Sequence, residues 1–173
     1  MKTKSAIFII LLILFTHASY AQAIKTPNGF QLRTGVNLAL WLSQSENRGL
    51  EREQYILESD IENISSMGFD HIRLPIDEVQ FWDDNGKIQT DAFKLLHNAI
   101  GWSLKRNLRV IVDLHIIRSH YFNAESNALW TDPKEQDKLV GLWEQLSREL
   151  KKYPTDFIAY ELMNEAVADD NND

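Results

Sequence analysis

The sequence lacks cysteine entirely, and it also lacks dense runs of basic residues and low-complexity linkers. Without cysteine the chain has no disulfide and no thiolate metal site, so its fold must depend on its hydrophobic core. Nucleic-acid binding depends on Lys and Arg side chains that neutralise phosphates. Here 18 basic side chains stand against 25 acidic ones, a net charge of −7. The sequence therefore predicts no nucleic-acid partner, and its acidic balance favours a neutral substrate.

The apolar run near the N-terminus is too short to span a membrane. It covers residues 6–15, whereas a transmembrane helix needs roughly twenty apolar residues. Lys2 and Lys4 precede this run and small residues follow it, which is the pattern of a secretory signal peptide. We predict that residues 1–23 are a signal peptide and that residues 24–173 form the mature protein. The mature protein is then secreted, to the periplasm or the extracellular space, without stable membrane insertion.

Hydrophobic periodicity predicts strands and helices in alternation. Strands are predicted at residues 35–40, 71–74, 109–114 and 158–163, and helices at residues 60–67, 91–106 and from Asp132 onward. Ser59 is the expected cap of the first helix, and Asp132 with Pro133 begins the third. This order predicts an α/β fold with a parallel sheet, either doubly wound or a barrel. No Gly-rich phosphate loop follows the first strand, so no nucleotide cofactor is expected.

Polar side chains stand at the carboxyl ends of three predicted strands. Arg73 comes near the end of one, His115 follows the next, and Asn164 and Glu165 follow the last. In a parallel barrel these strand ends converge on one face, where the active site is built. We therefore expect Arg73, His115, Asn164 and Glu165 to share a pocket.

Four motifs in chain order resemble glycoside hydrolase family 5, the cellulase-like family. They are GVN at residues 35–37 with Trp41, GFDHIRLP at 68–75, VIVDLH at 110–115 and YELMNE at 160–165. The resemblance spans nearly all of the mature chain. It implies a (β/α)₈ TIM barrel, of which this chain contains about the first four β/α units.

The resemblance also implies roles for individual residues. Glu165 matches the acid/base of a retaining mechanism, and Asn164 matches the neighbour that binds the sugar 2-hydroxyl. Arg73 matches the arginine that orients the nucleophile, and His115 matches a substrate-side histidine. The implied reaction is hydrolysis of O-glycosidic bonds in a β-linked polysaccharide of the cellulose, β-glucan or mannan type. It requires neither a metal nor a cofactor.

Aromatic and histidine side chains in the predicted βα loops are further candidates for substrate contact. Flat rings can stack on the apolar faces of pyranose sugars. Trp41 and Trp130 are the ring candidates, beside Trp82 and Tyr121, and His120 is a weaker candidate for a polar contact.

The chain departs from the family at the nucleophile, a glutamate at the end of strand seven. The sequence stops at Asp173, shortly after the fourth strand. We therefore expect it to be the N-terminal part of a longer enzyme and to have little hydrolase activity by itself. Glu161 is not expected to replace the nucleophile, because it lies on the same strand as Glu165 and too early along it.

Two other functions remain open at this stage. Asp113, His115, His120 and Glu165 are ligand types that could surround a divalent metal in a metal-dependent hydrolase. A secreted carbohydrate-binding protein without turnover is the non-enzymatic alternative. The sequence also leaves open the polysaccharide, endo or exo action, and the oligomeric state.

Overall fold

The structure is a computed structural model that describes residues 24–25 and 29–166. The predicted signal peptide lies outside the described residues. Among the helices of the described part, none is long and apolar enough to cross a lipid bilayer.

Four parallel strands form the main sheet, in the order of the chain. They are β3 (Gly35–Asn37), β4 (His71–Asp77), β5 (Arg109–Ile116) and β6 (Ile158–Glu161). A short antiparallel ribbon of β1 (Ile24–Lys25) and β2 (Gln31–Leu32) precedes them. Consecutive strands are neighbours throughout the sheet, as expected of repeated βαβ units.

Each parallel connection contains one long helix and, before it, one short helix. The long helices are α2 (Glu58–Ser66), α4 (Thr90–Lys105) and α6 (Pro133–Leu150). The short ones are α1 (Gly49–Glu53), α3 (Glu78–Phe81) and α5 (Ala128–Thr131), and each lies in the segment that follows the carboxyl end of a strand. The predicted alternation of strands and helices is confirmed.

Some predicted element ends were wrong. The strand expected to reach residue 40 ends at Asn37, and Leu40 has a φ of 59°, which no strand accommodates. The first long helix begins at Glu58, so Ser59 lies inside it and is not its cap. Instead the Asp60 carboxylate accepts a hydrogen bond of 2.8 Å from the Leu57 amide. At α6 the prediction is confirmed, since Asp132 accepts from the Lys134 amide at 2.9 Å.

The two faces of the sheet differ in chemistry because strand side chains alternate. Residues that face the helices are apolar and fully buried: Ile72, Leu74 and Ile76 from β4, and Val110, Val112 and Leu114 from β5. They pack with buried residues of the helices, among them Ile61, Leu96, Ile100 and Leu146. The intervening residues of β4, β5 and β6 include Arg73, Asp113, His115 and Glu161 on the opposite face. The hydrophobic core therefore lies between the sheet and the helices, and the candidate functional residues lie on the opposite, polar face of the sheet.

Gly35 allows β3 to lie close to the His71 side chain. A Cβ atom built on Gly35 would come within 2.1 Å of His71 Nε2, far inside van der Waals contact. The ring is held in place, since His71 Nδ1 lies 2.8 Å from Asp70 Oδ1. Asp70 Oδ1 also accepts hydrogen bonds from the amides of Arg33 and Thr34. This cluster joins the amino ends of β3 and β4.

Replacing Gly35 with alanine should destabilise the fold by about 1–3 kcal/mol, because the added methyl group overpacks the site. In the double variant Gly35→Ala/His71→Ala the cost should be smaller than the sum of the two single changes. Urea denaturation of the four proteins measures this. Gly141→Ala is the matched control, since a Cβ there meets nothing within 4 Å in helix α6. Additive effects of Gly35→Ala and His71→Ala would contradict the steric explanation.

Candidate active site

The guanidinium of Arg73 is the centre of the polar face. Arg73 lies on β4 and reaches across β5 to Glu161 on β6. Its Nε is 2.8 Å from Glu161 Oε2 and its Nη2 is 2.7 Å from Oε1, which makes a bidentate ion pair. Such fork-to-fork pairs fix both partners in position as well as adding energy.

The same guanidinium contacts the other two parallel strands and the loop after β6. Nη2 lies 2.8 Å from Asp113 Oδ2 on β5 and donates to Asn164 Oδ1 at 3.0 Å. Nη1 donates to Asn37 Oδ1 on β3 at 3.3 Å. A single side chain therefore connects all four parallel strands at the carboxyl side of the sheet.

Asp113 links Arg73 to His115. The Asp113 side chain is fully buried, and its Oδ2 lies 2.6 Å from His115 Nδ1. Burial raises the pKa of Asp113, while the hydrogen bond with His115 and the charge of Arg73 act in the opposite direction. With Asp113 ionised, His115 carries its proton on Nδ1 and donates it to the carboxylate. That leaves Nε2 as the ring atom that can meet a ligand.

The charges of Arg73 and Glu161 support each other. Hydrogen bonding from Arg73 is the main cause that lowers the pKa of Glu161, and hydrogen bonding to Glu161 is the main cause that raises the pKa of Arg73. Arg73 is 23% exposed and Glu161 36% exposed. Both groups are therefore charged at neutral pH and remain partly open to solvent.

Asn164 and Glu165 stand at the mouth of this cluster. Asn164 is buried, and its Oδ1 is held by Arg73. Glu165 is exposed, and its charge contributes to the raised pKa of Arg73. Its backbone has a φ of 44°, which is uncommon outside glycine and is often found at functional sites. Glu165, an exposed residue, thus follows directly in the sequence an asparagine whose carboxamide is oriented by Arg73.

The structure brings together the four main candidates from the sequence but not the weaker ones. Trp41 is 1% exposed, and its Nε1 donates to the backbone oxygen of Arg52 at 2.7 Å. His120 is also 1% exposed and packs edge-on against Trp130, with ring centroids 5.3 Å apart. Trp130 itself is partly buried against the core. Trp41 and His120, the weaker candidates for substrate contact, are thus buried within this chain, and neither ring offers a face to a sugar.

Sequence reasoning missed the partners of Arg73. From the sequence, Glu161 is only excluded as the nucleophile, and Asn37 has no role beyond its place in the GVN motif. Strand alternation could have placed Asp113 and Glu161 on the face of Arg73, since they are register partners across β5 and β6. No pattern in the sequence indicates that the Arg73 side chain extends over β5 to Glu161.

The Arg73 cluster does not resemble a metal centre. Among the described residues, no group of three or more His, Asp or Glu side chains is arranged to hold a metal ion. Asp113 instead accepts from a guanidinium and pairs with His115. The guanidinium group of Arg73 already occupies the position from which a metal cation would approach the Asp113 carboxylate.

Comparison with known proteins decides the family. The family model described as Cellulase (glycosyl hydrolase family 5) matches residues 29–173. The chain belongs to this family. Endoglucanase C of Acetivibrio thermocellus is 33% identical over 145 residues, and the match covers 80% of this chain and 41% of that protein. Cellodextrinase A of Ruminococcus flavefaciens is 32% identical over 135 residues, covering 77% of this chain and 40% of that protein.

Solved structures of family members confirm the fold class. The crystal structure of endoglucanase Cel5A from Thermotoga maritima has a TM-score of 0.61 and 28% identity, covering 79% of this chain and 41% of that one. Another crystal structure, of Thermotoga maritima Cel5A in complex with mannotriose, has the same TM-score and 27% identity, with the same coverage. The four parallel strands and their helices are thus part of a (β/α)₈ barrel. The chain spans about two fifths of the length of the relatives it matches.

Replacing Arg73 with alanine should destabilise the fold by on the order of 3 kcal/mol at neutral pH, because the buried Asp113 would lose its cationic partner. The deficit should begin to shrink as the pH falls below about 4.3, the ordinary pKa of a glutamate, and should shrink further until Glu161 is protonated. Arg73 lowers the pKa of Glu161, so the stability it contributes is present above the unfolded-state pKa and is lost as Glu161 protonates.

Urea unfolding of both proteins across this pH range measures the effect. Arg148→Ala is the matched control, since Arg148 is 62% exposed and lies 3.7 Å from Glu144. Such a surface pair contributes less than about 1 kcal/mol. A deficit for Arg73→Ala that does not depend on pH would contradict the assignment of charge to this cluster.

Proposed function

We propose that this chain supplies the acid/base half of a retaining glycoside hydrolase that cleaves a β-linked polysaccharide. The observation that carries the proposal is the exposed carboxyl group of Glu165 beside Asn164, which Arg73 holds at the carboxyl ends of the strands. Catalytic residues of (β/α)₈ barrels lie on this face. The proposal thus rests on a carboxyl group with both access to solvent and an oriented neighbour.

The chemistry of glycoside cleavage explains why these groups would be needed. The leaving oxygen must receive a proton as the glycosidic bond breaks, and in a retaining enzyme a second carboxylate roughly 5 Å away attacks the anomeric carbon. Glu165 would donate that proton and then, in the second step, take a proton from water. Its exposed position lets it reach a glycosidic oxygen from the cleft.

Asn164 and His115 would bind and orient the sugar. Asn164 Oδ1 accepts from Arg73, so the amide NH₂ group is the part left to donate to a sugar hydroxyl. His115 is fixed in the same way, because its Nδ1 is engaged by Asp113 and its Nε2 is available to a ligand. Arg73 and Asp113 therefore preorganise two polar contacts before substrate arrives.

The relatives guide the choice of substrate class. They are named endoglucanase and cellodextrinase, and one solved neighbour holds mannotriose. We infer a β-glucan or mannan type of substrate for this protein. A neutral polysaccharide also suits the acidic balance of the chain.

We predict that the 173-residue chain alone releases no reducing sugar from soluble cellulose or glucomannan at an enzyme-like rate. None of the described carboxylates is assigned as nucleophile, since Glu161 is held by Arg73 on the strand that precedes Glu165. A fusion of the chain to the carboxy-terminal half of a matched endoglucanase should be active. In that fusion Glu165→Gln should lower turnover by about 10²–10⁴-fold, the usual contribution of a general acid.

The loss of turnover in the Glu165→Gln fusion should be smaller on aryl glycosides, because their leaving groups depart with little protonation. Glu62→Gln is the matched control, because Glu62 is 67% exposed on the outer helix α2. Full turnover of the Glu165→Gln fusion on an unactivated glycan would rule out the assigned role. Binding of the glycan by an inactive fusion that retains Glu165 would favour the non-catalytic alternative.

We also propose that residues 1–23 direct export of the protein. The support is the basic start, the short apolar run and the small residues that follow. In a bacterial host the secreted product should begin near Ile24 by N-terminal sequencing. Retention of Met1 on exported protein, or the absence of export, would contradict this proposal.

A further inference from the structure

His115 is the extra residue of a bulge in β5. Along the parallel pair of β4 and β5, Ile76 is the partner of Leu114, and the next pair is Asp77 with Ile116. No residue of β4 therefore stands opposite His115. A bulge leaves one residue unpaired and re-aims its side chain, and bulges are frequent next to active sites. Asp77, the last residue of β4, is thus the neighbour of this histidine across the bulge.

Asp77 places a second buried carboxylate beside His115. Asp77 is 4% exposed and His115 is 8% exposed. Asp77 Oδ2 accepts a hydrogen bond of 2.6 Å from the Gln44 amide, whereas its Oδ1 has no hydrogen-bond partner within the described residues. Burial raises the pKa of Asp77, and the charge of His115 acts in the opposite direction. The carboxylate is therefore buried at a cost that its own hydrogen bonds do not offset.

The stability of the fold does not explain why residue 77 carries a charge. An asparagine has the same shape, and its amide oxygen could accept from the Gln44 amide as Oδ2 does. It would also avoid the cost of burying an ionised group without full compensation. Residues that reduce stability in this way are expected mainly at functional sites. The charge of Asp77 should therefore act on a neighbouring group.

The group on which it acts is His115, which lies among acidic side chains from three strands. Asp77 and Arg73 approach from β4, Asp113 lies on the same strand, and Glu161 approaches from β6. Arg73 is already paired with Glu161 and Asp113, whereas Asp77 has no cationic partner among the described ion pairs. Attraction between two charges is reciprocal, so an ionised Asp77 favours a charged imidazole ring.

We propose that Asp77 is a positioning residue whose negative charge favours the doubly protonated form of His115. In that form Nε2 donates a hydrogen bond, while in the neutral form with its proton on Nδ1 the same atom only accepts. A donor at this atom can bind the ring and glycosidic oxygens of a sugar, which only accept, as well as hydroxyl groups. The inference rests on the proposed function for the statement that His115 meets the substrate.

NMR of the ring nitrogens in the isotope-labelled 173-residue chain tests the inference without any substrate. At a pH of about 6.5, where an ordinary histidine is half protonated, the Nδ1 and Nε2 shifts give the ratio of doubly protonated to neutral His115. Asp77→Asn should lower this ratio by about threefold or more, because the charge is lost and the shape is kept. Asp137→Asn removes the same charge from an exposed position on α6 and should leave the ratio unchanged.

Urea unfolding at a pH of about 8 distinguishes this electrostatic role from a purely structural one. Because the folded-state pKa of Asp77 is raised, its ionisation costs stability above that pKa, and the asparagine variant lacks this cost. The urea midpoint of Asp77→Asn should therefore be equal to or higher than that of the unchanged chain. A lower midpoint would overturn the inference, since the carboxylate would then be needed for the fold.

An unchanged ratio of the two His115 forms in Asp77→Asn would overturn the inference as well. A lower ratio with a retained urea midpoint would support it. The proposed function is tested separately, because neither measurement depends on Glu165 or on turnover. Full turnover of the Glu165→Gln fusion would remove the proposed function and leave the interaction between Asp77 and His115 in place.

Discussion

One guanidinium group organises the polar face of this half barrel. Arg73 contacts side chains from the other three parallel strands and from the loop that carries Glu165. Because its five donors lie in one plane, it can pair with a carboxylate through two parallel hydrogen bonds and still reach further acceptors, a geometry that the ammonium group of a lysine does not offer. The positions of Asn164 and Asp113, and through Asp113 that of His115, all depend on this group. The ion pair between Arg73 and Glu161 is therefore part of the candidate site itself.

The cluster also explains how a charged group can be held in a protein interior. Asp113 is fully buried, and its burial alone favours the neutral acid. Arg73 and His115 both contact its Oδ2, so the charge is shared within a small network instead of standing isolated. Glu161 adds a second carboxylate that is nearer to solvent. Hydrogen bonds and ion pairs from Arg73 thus hold both carboxylates on the polar face.

Sequence reasoning predicted the order of the elements and the meeting of Arg73, His115 and Asn164, because periodicity and strand ends are properties of the linear chain. It could not predict that Arg73 reaches over β5 to Glu161, since that contact depends on strand register and on side-chain length in three dimensions. The burial of Trp41 was missed for a related reason. An aromatic residue in a loop can pack inward or face solvent, and only the path of the loop decides between them.

Side chains along β4 and β5 point alternately to the helices and to the cleft. Substitutions in these strands should therefore be tolerated differently from insertions or deletions. Every second residue packs under the helices, and the residues between them face the cleft. Substitutions on the cleft side can alter chemistry while the packing beneath stays intact. A single inserted or deleted residue within either strand would exchange the two faces, placing Asp113 among the apolar residues beneath the helices and Val112 or Leu114 in the cleft. Diversity among descendants of this protein should therefore arise from the loops after the strands, whose lengths are free to vary, and not from the lengths of the strands themselves.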